Sequence, residues 1–196
     1  TATAIAANKG VVVKPRMLAA VDGEPFEPQD LNPVADVQID NPDNWRYIEE
    51  SMTMVVHRPY SQVFRDYGTA YEAIARADRE MSYKMAGKSG SAQVVSIAQD
   101  ILQSEDIDVS ELNKDHALFV AYAPAQHPTI KPQIAVAVFV ENGQHGSSVA
   151  GPVAKAVIDA YLLDILQIDF TSLATDPDGL LSFDASRAPQ QSFDPA

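Results

Sequence analysis

The chain has 196 residues and no cysteine, so one domain with a real core is affordable and neither a disulfide nor a thiolate metal site can form. Its 27 acidic and 14 basic residues give a net charge of −13, which leaves no basic stripe to neutralise phosphates and argues against nucleic acid as a ligand. No apolar run is long enough to span a bilayer and no signal peptide is visible.

Thr1 to Asn8 reads as the end of a helix, with Lys9 suited to its negative end and Gly10 to the left-handed position beyond it. Val11-Val12-Val13 reads as a short strand stopped by Pro15. Arg16 to Asp40 is rich in Pro, Asp and Asn, which predicts a β-turn at Asp22-Gly23 within a surface excursion. Asn41 is a candidate N-cap, with Pro42 at the first helical position and Asp43 beside the positive end. Trp45, Ile48, Met52, Val55 and Val56 then fall on one helical face, expected to pack on a sheet. His57 to Tyr67 is an aromatic and basic connector containing Arg58 and Arg65. In Gly68-Thr69-Ala70-Tyr71, Thr69 and Glu72 have capping-box spacing, which predicts a helix start.

The next stretch, Tyr83 to Val95 with Ile97 beyond it, reads as a strand with chemistry on its first half. Val94, Val95 and Ile97 are β-formers. Gly87 and Gly90 weaken a strand unless something must approach the backbone closely. Between and beside them sit one cation, Lys88, and two hydroxyls, Ser89 and Ser91. Alternation puts Ser89, Ser91 and Gln93 on one face. Two hydroxyls beside a lysine suit a carboxylate, and free N–H groups along such an edge suit a developing oxyanion.

Ser104 to Asp115 is acidic and polar and reads as a solvated loop. Two strands follow, His116 to Ala123 and Ile134 to Val140, joined as an antiparallel hairpin through Pro124 to Pro132. Both are apolar on both faces, which predicts a sheet covered on both sides. Asn142-Gly143 ends the second strand. Ser147 or Ser148 is expected to cap a helix that tolerates Pro152 in its first turn, with Val149, Val153, Val157 and Tyr161 as its buried stripe. Residues 170–196 turn to Thr, Ser, Asp, Pro, Gln and Gly and read as a flexible tail, with Leu180, Leu181 and Phe183 as possible docking points.

Other chemistries fit poorly. His57, His116, His127 and His145 show no ligand spacing with one another or with a carboxylate pair, so no metal is expected. Glu49-Glu50 are adjacent and point apart on a helix, unlike a glycosidase pair. No phosphate loop or dinucleotide fingerprint occurs, and no cofactor is expected.

The string Lys88-Ser89-Gly90-Ser91-Ala92-Gln93, preceded by Tyr83-Lys84-Met85-Ala86-Gly87, resembles the third conserved box of the penicillin-binding proteins and serine β-lactamases. With Ala-Gln following, it is similar to class B penicillin-binding proteins of the cell-elongation type, the penicillin-binding protein 2 group. Ala7-Asn8-Lys9-Gly10-Val11-Val12-Val13-Lys14-Pro15 and Gly68-Thr69-Ala70 resemble the same family, and the likeness runs to about Leu163. The resemblance implies an α/β (α+β) fold, an antiparallel sheet covered by helices on both faces, with residues 1–169 as the C-terminal part of a transpeptidase domain. It implies a peptidoglycan D,D-transpeptidase that cross-links stem peptides through an acyl-enzyme.

For the site, the resemblance implies that Lys88 assists proton transfer and adds positive field, and that Ser89 and Ser91 bind the carboxylate of a D-Ala-D-Ala stem peptide or a β-lactam. The Ser91 N–H would be an oxyanion donor, Gly90 would keep the strand open, and Gln93 would be a lip residue. It also implies a periplasmic position at the inner membrane, a membrane glycosyltransferase and cell-shape complex proteins as partners. The chain departs from the family in one respect. No lysine has a serine three places before it, and no serine is followed two places later by asparagine. The nucleophile, its base and the middle box are therefore expected on an upstream segment, along with the export signal or anchor. A carboxypeptidase, a β-lactamase-type hydrolase and a non-catalytic docking module for cell-wall assembly remain as alternatives.

Overall fold

The computed structural model describes residues 1–15, 20–25, 34–63, 65–79, 81–94 and 114–170. The expected strand residues Val95 and Ile97, most of the acidic stretch from Ser104, and residues 171–196 with Leu180, Leu181 and Phe183 lie outside the described residues. Helix α1 (Ala2–Ala7) ends one residue earlier than its sequence predicts, with Asn8 as C-cap, Lys9 in the first left-handed position and Gly10 just after it. The Lys9 N–H donates to the Ala6 carbonyl (3.2 Å) and the Gly10 N–H to the Ile5 carbonyl (2.9 Å). That pair of bonds is the Schellman closure, with Lys9 at φ 52° and Gly10 at φ 100°. Asp22 and Gly23, at φ 52° and 84°, turn the short hairpin of β1 (Ala20–Val21) and β2 (Glu24–Pro25).

Val11–Val13 is not a strand. Asp36 Oδ1 accepts from the Val12 N–H (2.9 Å), and the Val37 N–H donates to the Gly10 carbonyl (2.9 Å). The segment is held along residues 36–37 by these bonds, outside any sheet. Helix α2 (Asp43–His57) starts where Asn41 and Pro42 place it, with Asn41 Oδ1 accepting from the Asp43 N–H (3.0 Å). Its inner face is narrower than its apolar periodicity predicts. Val56 and Thr53 are buried, whereas Ile48 lies open. After it, Thr69 and Glu72 do not form a capping box, because the Glu72 carboxylate is engaged by Arg76 Nη1 (2.6 and 2.7 Å). Residues 69–77 make a run of turns.

Strands β3 (Ala86–Ala92), β4 (His116–Ala123) and β5 (Ile134–Val140) form an antiparallel sheet in the order β3-β4-β5. The register pairs Ser89 with Phe119 and Phe119 with Val138. One face carries Phe119, Ala117, Ala121 and Ala123, which pack with Val56, Ile74, Tyr83, Met85 and the C-terminal helix into the main core. The other face carries Ala86 and Tyr122, packed with Ala7 of α1, Ala125 and Met52. Helices thus lie on both faces. The cover over β5 is incomplete: Ala135, Ala137 and Phe139 are exposed, so the expected coverage of both faces does not extend to them.

The C-terminal helix departs most from its sequence reading. It comprises a π-helical turn (Gly146–Ala150), α3 (Gly151–Asp159) and a second π-helical turn (Ala160–Ile165). Neither Ser147 nor Ser148 makes a side-chain cap. Its buried line is Ala150, Ala154, Ile158 and Leu162, while Val149, Val153 and Val157 are 38%, 47% and 47% exposed. The reason is distance. A Cβ on Gly151 would already sit 3.2 Å from Ile74 and 3.7 Å from Phe119, so the helix must turn its small residues to the sheet. Phe170, the first residue of the expected tail, is buried against Tyr83, ring centroids 5.5 Å apart. No helix among the described residues is long and apolar enough to cross a membrane.

The helix rotation makes a direct test. Ile158→Ala should cost about 2–5 kcal/mol in urea unfolding, as for other large-to-small core changes. Val157→Ala should cost under about 1 kcal/mol, the level of a half-exposed site. Equal losses would return the buried stripe to the valines.

Candidate functional site

Lys88, Ser89 and Ser91 lie on β3, the edge strand of the described sheet: β4 pairs with one side of it, and among the described residues no strand pairs with the other. Every second N–H and C=O along such an edge points away from the sheet. Ser89 and Ser91, opposite Phe119 and Ala117, leave on the face of the C-terminal helix, as alternation predicts. Lys88 and Gly90, opposite Val120 and Leu118, leave on the other face. Lys88 is exposed and its ammonium donates to the Ser89 carbonyl (2.6 Å), so it folds back along its own strand. The Ser91 hydroxyl donates to the Gln144 carbonyl (3.1 Å). Gln93 is exposed and lies one residue past the strand's end, so alternation does not carry it onto the serine face.

The strand is positioned at its entrance by groups from α2, α3 and the β4–β5 loop. His57 Nε2, at the end of α2, accepts from the Met85 N–H (2.9 Å). The Tyr83 hydroxyl donates to Asp159 Oδ1 of α3 (2.6 Å), and Lys155 bridges Asp159 and Asp78 at 2.5 and 2.7 Å. The Ala125 N–H donates to the Lys84 carbonyl (2.7 Å), and Lys84 Nζ to Gln126 Oε1 (3.2 Å). Burial raises the Tyr83 phenol well above its ordinary range, and the Asp159 hydrogen bond adds to this. Gly87 lies under the Phe119 ring, where a Cβ would come within 2.7 Å. Two clefts, of about 600 Å³ beside Lys9, Glu49 and His127 and about 370 Å³ beside Glu50, His57 and Lys84, are lined by none of Lys88, Ser89 and Ser91.

Three residues of this arrangement escaped the sequence reading. His57 stood in a connector with no metal or triad spacing, and its partner is a backbone amide that no side-chain pattern reveals. Gln144 contributes only its carbonyl. Gly146 follows the visible Asn142-Gly143 turn but carries no signal of its own.

The sequence profile of the penicillin binding protein transpeptidase domain matches residues 1–159. The chain belongs to this family. It is 40% identical over 164 residues to the peptidoglycan D,D-transpeptidase MrdA of Acinetobacter baumannii, covering 83% of this chain and 21% of the relative. It is 36% identical over 167 residues to the Haemophilus influenzae MrdA, covering 82% and 22%. Among solved structures it is similar to Pseudomonas aeruginosa PBP2, solved in complex with WCK 5153, at 37% identity and a TM-score of 0.60, covering 95% of this chain and 31% of that one. The chain thus spans about a fifth of the length of the relatives it matches. The fold is the penicillin-binding-protein transpeptidase fold, with its antiparallel sheet and covering helices, as the third-box resemblance implies.

His57 makes the strand entrance sensitive to pH. Burial foremost, and then the charge of Lys84, lower its pKa below the ordinary 6.5, and the Met85 N–H donated to Nε2 acts in the same direction, because only the neutral ring can accept it. A lowered value means that the folded state prefers the neutral ring, as an acceptor must. Stability is therefore complete above about pH 6.5 and falls as pH drops from there towards the folded-state value, below which the loss is constant. Unfolding followed between about pH 7 and pH 5 should show this slope. His57→Gln should flatten it, and an unchanged slope in that variant would remove His57 as its source.

Proposed function

We propose that this chain acts as the C-terminal part of a serine-type peptidoglycan D,D-transpeptidase of cell elongation, and that β3 is its substrate edge. The observation that carries the reading is the placement of Lys88, Ser89 and Ser91 within four residues of an exposed edge strand, in a chain of the transpeptidase family. The ligand is the terminal carboxylate of a D-Ala-D-Ala stem peptide, or the equivalent carboxylate of a β-lactam. Lying along the edge, it meets the Lys88 ammonium from one face and the Ser89 and Ser91 hydroxyls from the other. Charge-assisted hydrogen bonds of this kind are about twice as strong as neutral ones. Gly90 leaves the edge clear for the peptide. The Ser91 N–H serves the oxyanion formed when a serine attacks the penultimate carbonyl. Lys88 also eases proton transfer at that step, and Gln93 acts at the lip of the site.

The acylating serine, its lysine and the middle box come from sequence outside these residues, since neither Ser-x-x-Lys nor Ser-x-Asn occurs here. The acyl-enzyme passes its acyl group to the amine of a second stem peptide, forming the cross-link and freeing the serine. We place the complete enzyme on the periplasmic face of the inner membrane, working beside a membrane glycosyltransferase and cell-shape proteins. That the relatives are named peptidoglycan D,D-transpeptidases supports this placement.

In the complete enzyme, Ser91→Ala should lower the second-order acylation rate with a fluorescent penicillin by about ten- to a hundredfold, the loss of a hydrogen bond worth roughly 1.5–3 kcal/mol. Lys88→Ala should be at least as severe, because a cation ~4 Å from a carboxylate contributes about 4 kcal/mol at an effective dielectric near 20. Wild-type rates in both folded variants would exclude β3 as the substrate edge. The 196-residue chain by itself should gain no mass on incubation with a β-lactam, having no activated serine. A stoichiometric adduct would place the nucleophile inside it.

A further inference from the structure

The loop between β5 and the C-terminal helix lies directly on the serine end of β3. Gly146 is buried, and a Cβ there would meet the Gly90 carbonyl at 2.5 Å and the Gly90 nitrogen at 2.9 Å, with the Leu118 carbonyl closer still. Only a residue without a side chain allows this approach. Two residues earlier, Gln144 holds φ 59°, and its carbonyl accepts from the Ser91 hydroxyl. The Gln144 N–H donates to the Asp115 carbonyl (2.8 Å) at the start of β4, which fixes the loop from the other side. The loop therefore touches both of the residues that define this end of the edge, Gly90 through backbone packing and Ser91 through its hydroxyl.

We infer that Gln144 and Gly146 are positioning residues for the substrate edge: Gly146 sets the place of the Gly90 peptide, and the Gln144 carbonyl sets the rotamer of the Ser91 hydroxyl. This rests on the reading of β3 as the substrate edge. The hydroxyl has one proton, so it leaves Gln144 when it donates to a carboxylate. The loop thus holds Ser91 ready in the empty site and gives it up on binding. The left-handed backbone at Gln144 aims the carbonyl at β3. Asn tolerates that conformation and a β-branched residue does not.

Two readouts separate this inference from the one it rests on. The first is amide hydrogen exchange at residues 89–92 in the complete enzyme without β-lactam, which reports the strand's position whatever its role. The second is the acylation rate. Gly146→Ala should speed exchange at 89–92 and lower acylation about ten- to a hundredfold, the effect of misplacing a site by about 1 Å. Val153→Ala, a half-exposed position on the same helix, should change neither. Wild-type exchange in a folded Gly146→Ala enzyme overturns the inference. So does faster exchange with unchanged acylation, provided Lys88→Ala is impaired. If Lys88→Ala acylates normally, the substrate-edge reading fails and exchange alone decides the positioning. Should Gly146→Ala not fold, the exposed Gln144 decides: Gln144→Val should lower acylation about five- to tenfold and Gln144→Asn should keep it, since only valine resists the left-handed backbone. Equal rates in those two variants also overturn it.

Discussion

The close approach of the C-terminal helix to the sheet is the constraint on which the remainder of this structure depends. Gly146, Ala150, Gly151 and Ala154 form a line of small residues, and that line lets the helix rest on Phe119 and on the backbone of β3 and β4. Contact at that distance buries Ile158 and Leu162 deeper along the same helix, where fully burying each such side chain contributes about 1.5–3 kcal/mol. It also brings Asp159 to the Tyr83 hydroxyl and the β5–helix loop to Ser91. Larger residues on that line would lift the helix and release all three contacts together.

Several parts of this arrangement were legible in the sequence because one force decides them. Strands β4 and β5 are continuous apolar runs bounded by turn residues, and hydrophobic burial alone gives their ends. The Gly10 helix stop and the Asp22-Gly23 turn follow from left-handed backbone, which few residues tolerate. The Asn41 cap follows from an orphan N–H that needs an oxygen. Ser89 and Ser91 share a face because the strand period is two.

The misread parts are those where two demands compete. On the C-terminal helix, hydrophobicity favours burying Val149, Val153 and Val157, whereas close approach favours alanine and glycine, and the closer approach wins. Val11–Val13 has strand propensity, but Asp36 and Gly10 engage its surroundings first. Glu72 has capping-box spacing, but an arginine one turn later holds its carboxylate. The His57 contact to Met85 links positions 28 residues apart through a backbone N–H, and no residue-type pattern encodes such a bond.

Lys88 folds onto a carbonyl, not a carboxylate. Its single positive charge is therefore left whole on a chain whose net charge is −13. A carbonyl dipole orients the ammonium without cancelling its field at a distance. Most of this molecule repels anions, and at the β3 edge one local attraction persists over about a Debye length, roughly 8 Å at physiological ionic strength. An arriving anion is thus guided by contrast as much as by attraction, and added salt would blur both the general repulsion and the local exception.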